Sequence, residues 1–265
     1  MWRVTELTEK QEILAFLESD RLYAAYAIGD LEPHLYVQSA WYGASEGGRL
    51  RALALLFRGL ALPALFLMGE PAGLGAILAN GLRPRRAYLT CRPEHLPVTQ
   101  ERYAWDEVIP MWRMVLDRAR FRPAPGVAVR LGAGHGRQLG ALYAEAGAVG
   151  YSEQQVEQGV FYGVMVGGEL VAAAGTHLLG PTYGVAAVGN VYTRPAYRGR
   201  GYGALTTSAV VEELLRRGIR DVVLNVRQSN AVAIRIYERL GFARYCAFLE
   251  GPATARERRG PPAGA

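Results

Sequence analysis

Asn190-Val191-Tyr192-Thr193-Arg194-Pro195-Ala196-Tyr197-Arg198-Gly199-Arg200-Gly201-Tyr202-Gly203-Ala204 is the stretch on which the reading of this chain turns. Its first residues complete a strand-like run from Tyr183 to Thr193, and its last open a helical run from Ala204 to Arg217. Glycines between the two let backbone N–H groups converge, because no side-chain bulk intervenes. The helix that follows adds its unpaired amino-terminal N–H groups and the positive end of its dipole. Arg198 and Arg200 place fixed positive charge beside the turn. Together these features describe a pyrophosphate site.

Three phosphate-binding readings compete for it. A Walker loop requires Gly-Lys-Ser/Thr at its end, and Gly203 is followed by Ala204, which excludes it. A dinucleotide fingerprint is met on paper by Gly199, Gly201 and Ala204, with Asp221 further on. That fingerprint, however, should follow its strand at once, and here Arg194-Pro195-Ala196-Tyr197-Arg198 intervenes. The segments before it also alternate like an antiparallel meander, not like parallel βαβ units. The third reading is coenzyme A.

The spacing of Arg198, Gly201 and Gly203 fits Arg/Gln-x-x-Gly-x-Gly/Ala, and downstream come Asn230, Ala233, Tyr237 and Gly241-Phe242. In that order, with a helix and a strand between, these residues resemble the GNAT superfamily of acyl-CoA-dependent N-acetyltransferases. The resemblance covers roughly Val127 to Leu249. It implies an α+β fold, a mixed and mostly antiparallel sheet flanked by helices, and acetyl-CoA (coenzyme A after transfer) as co-substrate. It implies that Arg198, Gly199, Arg200, Gly201, Tyr202 and Gly203 hold the pyrophosphate. It further implies that the strand around Asn190, Val191, Tyr192 and Thr193 splays from its neighbour and pairs with the pantetheine arm. The Val191 N–H is then the expected oxyanion donor, and Asn230 and Ala233 belong to the coenzyme side.

Tyr237 is the expected general acid. A leaving thiol with a pKa of about 8.5 takes a proton from a phenol that stays protonated up to about 10. Helical spacing sets Asn230, Ala233, Ile234, Tyr237 and Leu240 on neighbouring positions, so Asn230 and Tyr237 are expected to face one groove. The general base is left open. Family members commonly carry a glutamate on the strand before the loop, but Val185 to Thr193 contains no carboxylate. His177, Glu157, Glu153 and a water held by Asn190 are the alternatives.

Outward from this motif, the sequence reads as two successive halves. Thr8-Glu9-Lys10-Gln11 has capping-box form before an apolar run, and Arg21 to Asp30 reads as a second helix. Leu50–Phe57, Ala64–Met68, Ala87–Cys91 and Met111–Leu116 read as strands, with a helix at Gly73–Asn80. After a Pro-containing linker at Arg120–Gly126, the order begins again. Val160–Val166 and Leu170–Leu178 form a hairpin about Gly167-Gly168, and Gly136–Ala146, Glu153–Gln158 and Ala231–Leu240 are helical. Glu70-Pro71-Ala72-Gly73-Leu74-Gly75 repeats the glycine spacing of 198–203, with Glu70 where the later loop has Arg198. The expected layout is a degenerate GNAT-like domain at 1–122, a catalytic one at 127–250 and a disordered tail at 251–265. A carboxylate at position 70 would repel phosphate, so only the second half is expected to bind coenzyme.

Composition bounds the remaining classes. The chain has 265 residues, half of them hydrophobic, and a net charge of +6. No apolar run approaches the roughly 20 residues of a membrane span, and Met1-Trp2-Arg3 does not begin a secretory signal, so a cytoplasmic protein is expected. Cys91 and Cys246 are far apart and the four histidines lack ligand spacing, so no metal is expected. Lys10 is the only lysine, and the arginines spread along the whole chain without forming a basic stripe, so nucleic acid is not an expected partner. The functional expectation is transfer of an acetyl or short acyl group to the primary amine of a small molecule, with a non-catalytic acyl-CoA-binding regulatory module as the alternative. Oligomeric state is not legible.

Overall fold

The computed structural model describes residues 1–145, Gly147 and 153–257, the side chains of Glu153 and Gln154 excepted. In chain order the elements begin with β1 (Arg3–Glu6), α1 (Lys10–Leu17), α2 (Ala25–Gly29), α3 (Pro33–Tyr36), β2 (Ser39–Glu46), β3 (Arg49–Phe57) and β4 (Ala64–Gly69). There follow α4 (Pro71–Asn80), β5 (Arg86–Cys91), α5 (Leu96–Arg102), β6 (Tyr103–Trp105), β7 (Ile109–Leu116) and β8 (Val129–Leu131). The rest are α6 (Gly136–Glu145), α7 (Glu153–Gln158), β9 (Phe161–Val166), β10 (Glu169–Gly180), β11 (Val185–Thr193), α8 (Tyr202–Arg216), β12 (Asp221–Arg227), α9 (Ala231–Leu240) and β13 (Phe242–Ala255). The fold is α+β with mostly antiparallel pairing, as the sequence led us to expect.

The chain divides into two compact units that do not follow the expected boundary near residue 122. The first comprises 1–19, 33–111 and 247–265, the second 20–32 and 112–246. In the first unit β1, β2, β3 and β4 pair antiparallel in sequence, and β4 runs parallel to β5. The end of β13 then pairs antiparallel with β5, from Leu249↔Cys91 to Thr254↔Arg86. Its core joins Leu65, Leu67 and Leu89 to Leu74, Ile77 and Leu78 of α4. The second unit repeats this order: β8, β9, β10 and β11 pair antiparallel, and β11 runs parallel to β12. The turn between β9 and β10 is Gly167-Gly168, with φ of 58° and 83°, the two positive values a tight hairpin needs. One face of the β11–β12 pair packs Val188, Val222 and Leu224 on Val210, Val211 and Leu214 of α8 and on Ile234, Tyr237 and Leu240 of α9.

Three local expectations are corrected. Residues 251–255 are not a disordered tail, because β13 continues through them. Their backbone groups are taken up by β5 and by β6, and Ala253 is fully buried, so order there needs no apolar periodicity. (Arg256 of the same expected tail donates from Nε to the Gln100 and Tyr103 carbonyls, whereas Arg258, Arg259 and Ala146, the last residue of the helix expected from Gly136, lie outside the described residues.) Helix α1 starts one residue later than a Thr8 cap would place it. Glu9 is the N-cap and makes no side-chain cap bond. The stretch Arg21–Asp30 is helical only over α2 and belongs to the second unit. Arg21 Nε lies 2.7 Å from Asp221 Oδ2, the Glu32 carboxylate accepts from the Thr182 N–H and hydroxyl at 2.8 Å each, and Gly29 sits where any Cβ would strike Leu178. Half-buried ion pairing and close backbone contact outweigh sequence proximity to the first unit.

Candidate active site

The strand-to-helix turn of the second unit runs from Arg194 to Gly201. A short 3₁₀ turn at Pro195–Tyr197 starts it. Gly199 and Gly201 then adopt φ of 77° and 80°, left-handed values that side chains resist, and a Cβ at either would meet no protein atom within 4 Å. The N–H groups from Gly199 to Ala204 have no protein acceptor among the described residues. They surround open space at the amino end of α8, the arrangement that suits an anion. Arg198 and Arg200 are both exposed here. The Arg198 Nε donates to the Thr193 carbonyl at 3.2 Å and its guanidinium stacks on Tyr192, while the Arg200 guanidinium stacks on Tyr197. Arg194, by contrast, is committed to Glu145 and Glu169.

Upstream of the turn, β11 parts from β12. Their parallel register ends at Val188↔Leu224, although β11 continues to Thr193 and β12 to Arg227. Against β10 the register steps from Gly189↔Gly175 to Tyr192↔Ala173, so Asn190 and Val191 together oppose Ala174. This β-bulge bends the strand and leaves backbone groups out of the ladder. Asn190 pays for it conformationally, with φ of 52°, the only positive value outside glycine among the described residues. Its carbonyl accepts a 2.6 Å bond from the Tyr143 hydroxyl of α6. On β12, directly after the last pair, Asn225 has a buried Oδ1 without a partner. That orphan oxygen lies at the parting of the strands, where a ligand amide would satisfy it.

Tyr237 and Val191 belong to the same apolar cluster, Tyr237 buried within it and Val191 packed against it. The Tyr237 ring meets Phe242 edge-on, with centroids 6.1 Å apart. Burial pushes its phenol up to about 12, and among the described residues no protein group hydrogen-bonds its hydroxyl. Asn230, in contrast, is exposed and serves as the N-cap of α9, its Oδ1 accepting from the Ala233 N–H at 3.1 Å. Ala233 packs on the Tyr237 cluster, while Asn230, expected to share a groove with Tyr237, is exposed.

A polar cluster on the bulge went undetected as a unit. His177 of β10 lies flat over Gly189, where a Cβ would come within 2.4 Å of the ring. Its Nδ1 is 3.3 Å from the Tyr26 hydroxyl of α2, and its Nε2 is 3.1 Å from Asn190 Oδ1 and 3.2 Å from the Asn190 N–H. Arg113 of β7 stacks on the Tyr26 ring at 4.7 Å. The imidazole keeps an exposed edge, yet the protein around it removes enough water to hold its pKa below the ordinary histidine value, against an opposing bond from Asn190. One helical turn beyond Tyr26, burial pushes the Asp30 carboxyl up to about 8. Of the other candidates for a base, Glu157 is exposed on α7 and the Glu153 side chain lies outside the described residues. Tyr143 and Tyr26 stand far from the motif in sequence, and only folding brings the first to Asn190 and the second to His177.

Comparison with known proteins bears on this region directly. Residues 137–242 match the model of the acetyltransferase (GNAT) family. A mycothiol acetyltransferase of Streptosporangium roseum is 44% identical over 61 residues, 22% of this chain and 18% of that protein. A [ribosomal protein bS18]-alanine N-acetyltransferase of Escherichia coli is 42% identical over 53 residues, 20% of this chain and 36% of that protein. The chain therefore aligns with well under half the length of these curated relatives. A solved tandem GNAT protein from the clavulanic acid biosynthesis pathway shares the fold over 96% of this chain and 98% of its own, with a TM-score of 0.60 and 16% identity.

Proposed function

We propose that this chain, with its GNAT-matching segment in the second unit, is an acyl-CoA-dependent N-acetyltransferase that moves an acetyl group from acetyl-CoA to a primary amine. The observation that carries the reading is the turn before α8, where N–H groups without a protein acceptor among the described residues adjoin left-handed Gly199 and Gly201, each with open space at its Cβ position. Gly199, Arg200, Gly201, Tyr202 and Gly203 would hold the pyrophosphate through backbone N–H groups, with Arg198 and Arg200 adding charge. The parted edge of β11, from Asn190 to Thr193, would receive the amide-bearing arm as an added strand, and the unpartnered Asn225 Oδ1 suits one of its N–H groups.

In the reaction the amine nitrogen forms a bond to the thioester carbonyl carbon and the carbon–sulfur bond breaks. The N–H of Val191, one of the two residues of the bulge, would donate to the oxygen as negative charge develops. The Tyr237 hydroxyl would give its proton to the departing sulfur. Its raised pKa keeps that proton in place throughout the physiological range, and no protein group competes for it. Ala233 and the Asn230 cap fix the start of the helix that carries Tyr237.

The acceptor is a small-molecule amine in this reading, and the protein acts in the cytoplasm. The mycothiol acetyltransferase supports that acceptor class, and the ribosomal-protein enzyme marks its competitor. The first unit is a degenerate repeat: β1 to β5 with α4 follow the order of β8 to β12 with α8, including one parallel pair in the same place. Calorimetry with acetyl-CoA should give one site per chain. Thiol release should appear with a small-molecule amine panel and not with peptides bearing a free amino-terminal alanine, and Tyr237→Phe should lower kcat by about 100-fold. No heat with millimolar acetyl-CoA would end the proposal. Tight binding without turnover on either panel would favour a regulatory coenzyme-binding module, a reading that the absence of a carboxylate on β11 motivates.

A further inference from the structure

We infer that His177, oriented by Tyr26, is the group that takes the proton from the acceptor amine. The inference rests on the acetyltransferase reading of the same site and supplies the base that β11 lacks. An amine that attacks a thioester must shed a proton, and Val185 to Thr193 offers no carboxylate to receive it.

The geometry selects the imidazole. Its Nε2 faces the bulge at Asn190, next to the Val191 N–H that is proposed to hold the oxyanion, and His177 is exposed. Both protonation states find partners there. In the neutral ring the Asn190 N–H donates to the Nε2 lone pair, and the Nδ1–H donates to the Tyr26 hydroxyl oxygen. Once Nε2 gains a proton, it gives up the bond from the Asn190 N–H and donates to Asn190 Oδ1, 3.1 Å away, while the bond from Nδ1 to Tyr26 persists. A structural histidine needs partners for one state, whereas this ring has them for two, and the proton comes and goes at the nitrogen nearest the reacting carbonyl. The step balances: the amine N–H bond breaks, its proton moves to Nε2, and the nitrogen keeps the electron pair that completes the amide. The imidazolium then releases its proton to water, and the Tyr237 phenolate left by protonation of the sulfur takes one back from water.

The surrounding charges and titratable groups are few. Tyr26 and, one turn on, Asp30 come from α2, Tyr143 from α6 holds the Asn190 carbonyl, and Arg113 from β7 stacks beneath Tyr26. Desolvation lowers the imidazole pKa, so the ring is neutral and able to accept at pH 7. Tyr26 acts through His177 and is a positioning residue. It lies outside the family-matched span, in the segment 20–32 that the second unit recruits from the beginning of the chain.

Two measurements on the full chain test this. The first follows the His177 ring nitrogens by NMR of 15N-histidine-labelled protein across pH 4–8, with and without acetyl-CoA. The expected result is a proton on Nδ1 alone at pH 7 and uptake at Nε2 on acidification, with a midpoint below the ordinary value of about 6.5. A ring protonated only at Nε2 at pH 7, or one that never titrates, overturns the inference whether or not an acceptor is known. The second uses thiol release with whichever amine in the panels turns over. His177→Gln should lower kcat by about 100-fold and erase the acid limb of the pH profile. Tyr26→Phe should shift that limb and lower kcat by less. Calorimetry with acetyl-CoA should give unchanged affinity for both variants. An intact acid limb in His177→Gln overturns the inference, whereas wild-type protein that fails to bind acetyl-CoA overturns the acetyltransferase reading instead.

Discussion

The turn from β4 to α4 and the turn from β11 to α8 hold the same place in the order of their units, each leaving the first strand of the parallel pair and entering the helix that leads to the second. Between β11 and α8 lie residues 194–201, whose N–H groups from Gly199 on have no protein acceptor among the described residues. Between β4 and α4 lies only Glu70. The Glu70 N–H is bonded to the Arg51 carbonyl at 2.9 Å, its carboxylate sits 3.4 Å from the Arg51 guanidinium, and Pro71, the first helical residue, has no N–H to give. Gly69 has a positive φ of 109° as well, yet for another reason, because a Cβ there would lie 2.3 Å from the Arg51 carbonyl oxygen. Positive-φ glycine in the second unit borders open space, and in the first it lets two protein backbones touch. The matching glycines in sequence, Gly73 and Gly75, fall inside α4, where Gly73 packs on Ala52 and Trp2. The charge of Glu70 is thus a lesser obstacle to phosphate than the absence of an open loop.

Substitutions at the two turns should separate these roles. Gly201→Val places a branched side chain at a left-handed position in the open space of the second turn. Acetyl-CoA affinity should fall by at least about 100-fold, or about 2.7 kcal/mol, by calorimetry, with the chain still folded. Gly69→Ala should do the reverse, costing about 2 kcal/mol in chemical denaturation through contact with the Arg51 backbone and leaving coenzyme affinity intact. Equal effects of the two on affinity would dissolve the distinction.

Asp30 gives a pH-dependent contrast within the second unit. Its folded pKa of about 8 lies above the ordinary carboxyl value of 3.8, so the folded protein keeps a proton that the unfolded chain releases. The stability this group allows is full below 3.8 and is lost as pH rises toward 8. Asp30→Asn does not ionise, and its melting temperature should therefore gain on wild type between pH 4 and pH 8 by several degrees. A difference that stays flat with pH would show the carboxyl to be solvated. The smallest effect is expected for Glu70→Arg. It restores the arginine of the second turn without opening the first, so acetyl-CoA stoichiometry should remain one per chain and stability should change by no more than about 0.5 kcal/mol.

Much of the strand and helix order was legible because local pattern and tertiary structure agree there. The β9–β10 hairpin, β11, α8, β12 and α9 all fall where periodicity and glycine placement put them. Strands β1 and β2 escaped notice since their apolar residues are interspersed with small and charged ones, and the end of β13 escaped since Gly, Pro and Ala carry no strand signal of their own. The site was legible only in part for the same reason. Arg198 to Gly203 and Tyr237 stand at fixed spacing on contiguous elements, whereas the partners of Asn190 come from α6 and β10 and that of His177 from α2.

The amino-acid sequence alone determined the glycine-rich turn, the helix that follows it and the tyrosine two elements later, because backbone freedom, dipole direction and helical period are local properties. Tertiary structure alone decided that the first turn is shut, that 20–32 serves the second unit, and that His177 meets Asn190. Those outcomes depend on which backbone groups compete for each other across long stretches of chain, and no residue carries that information by itself.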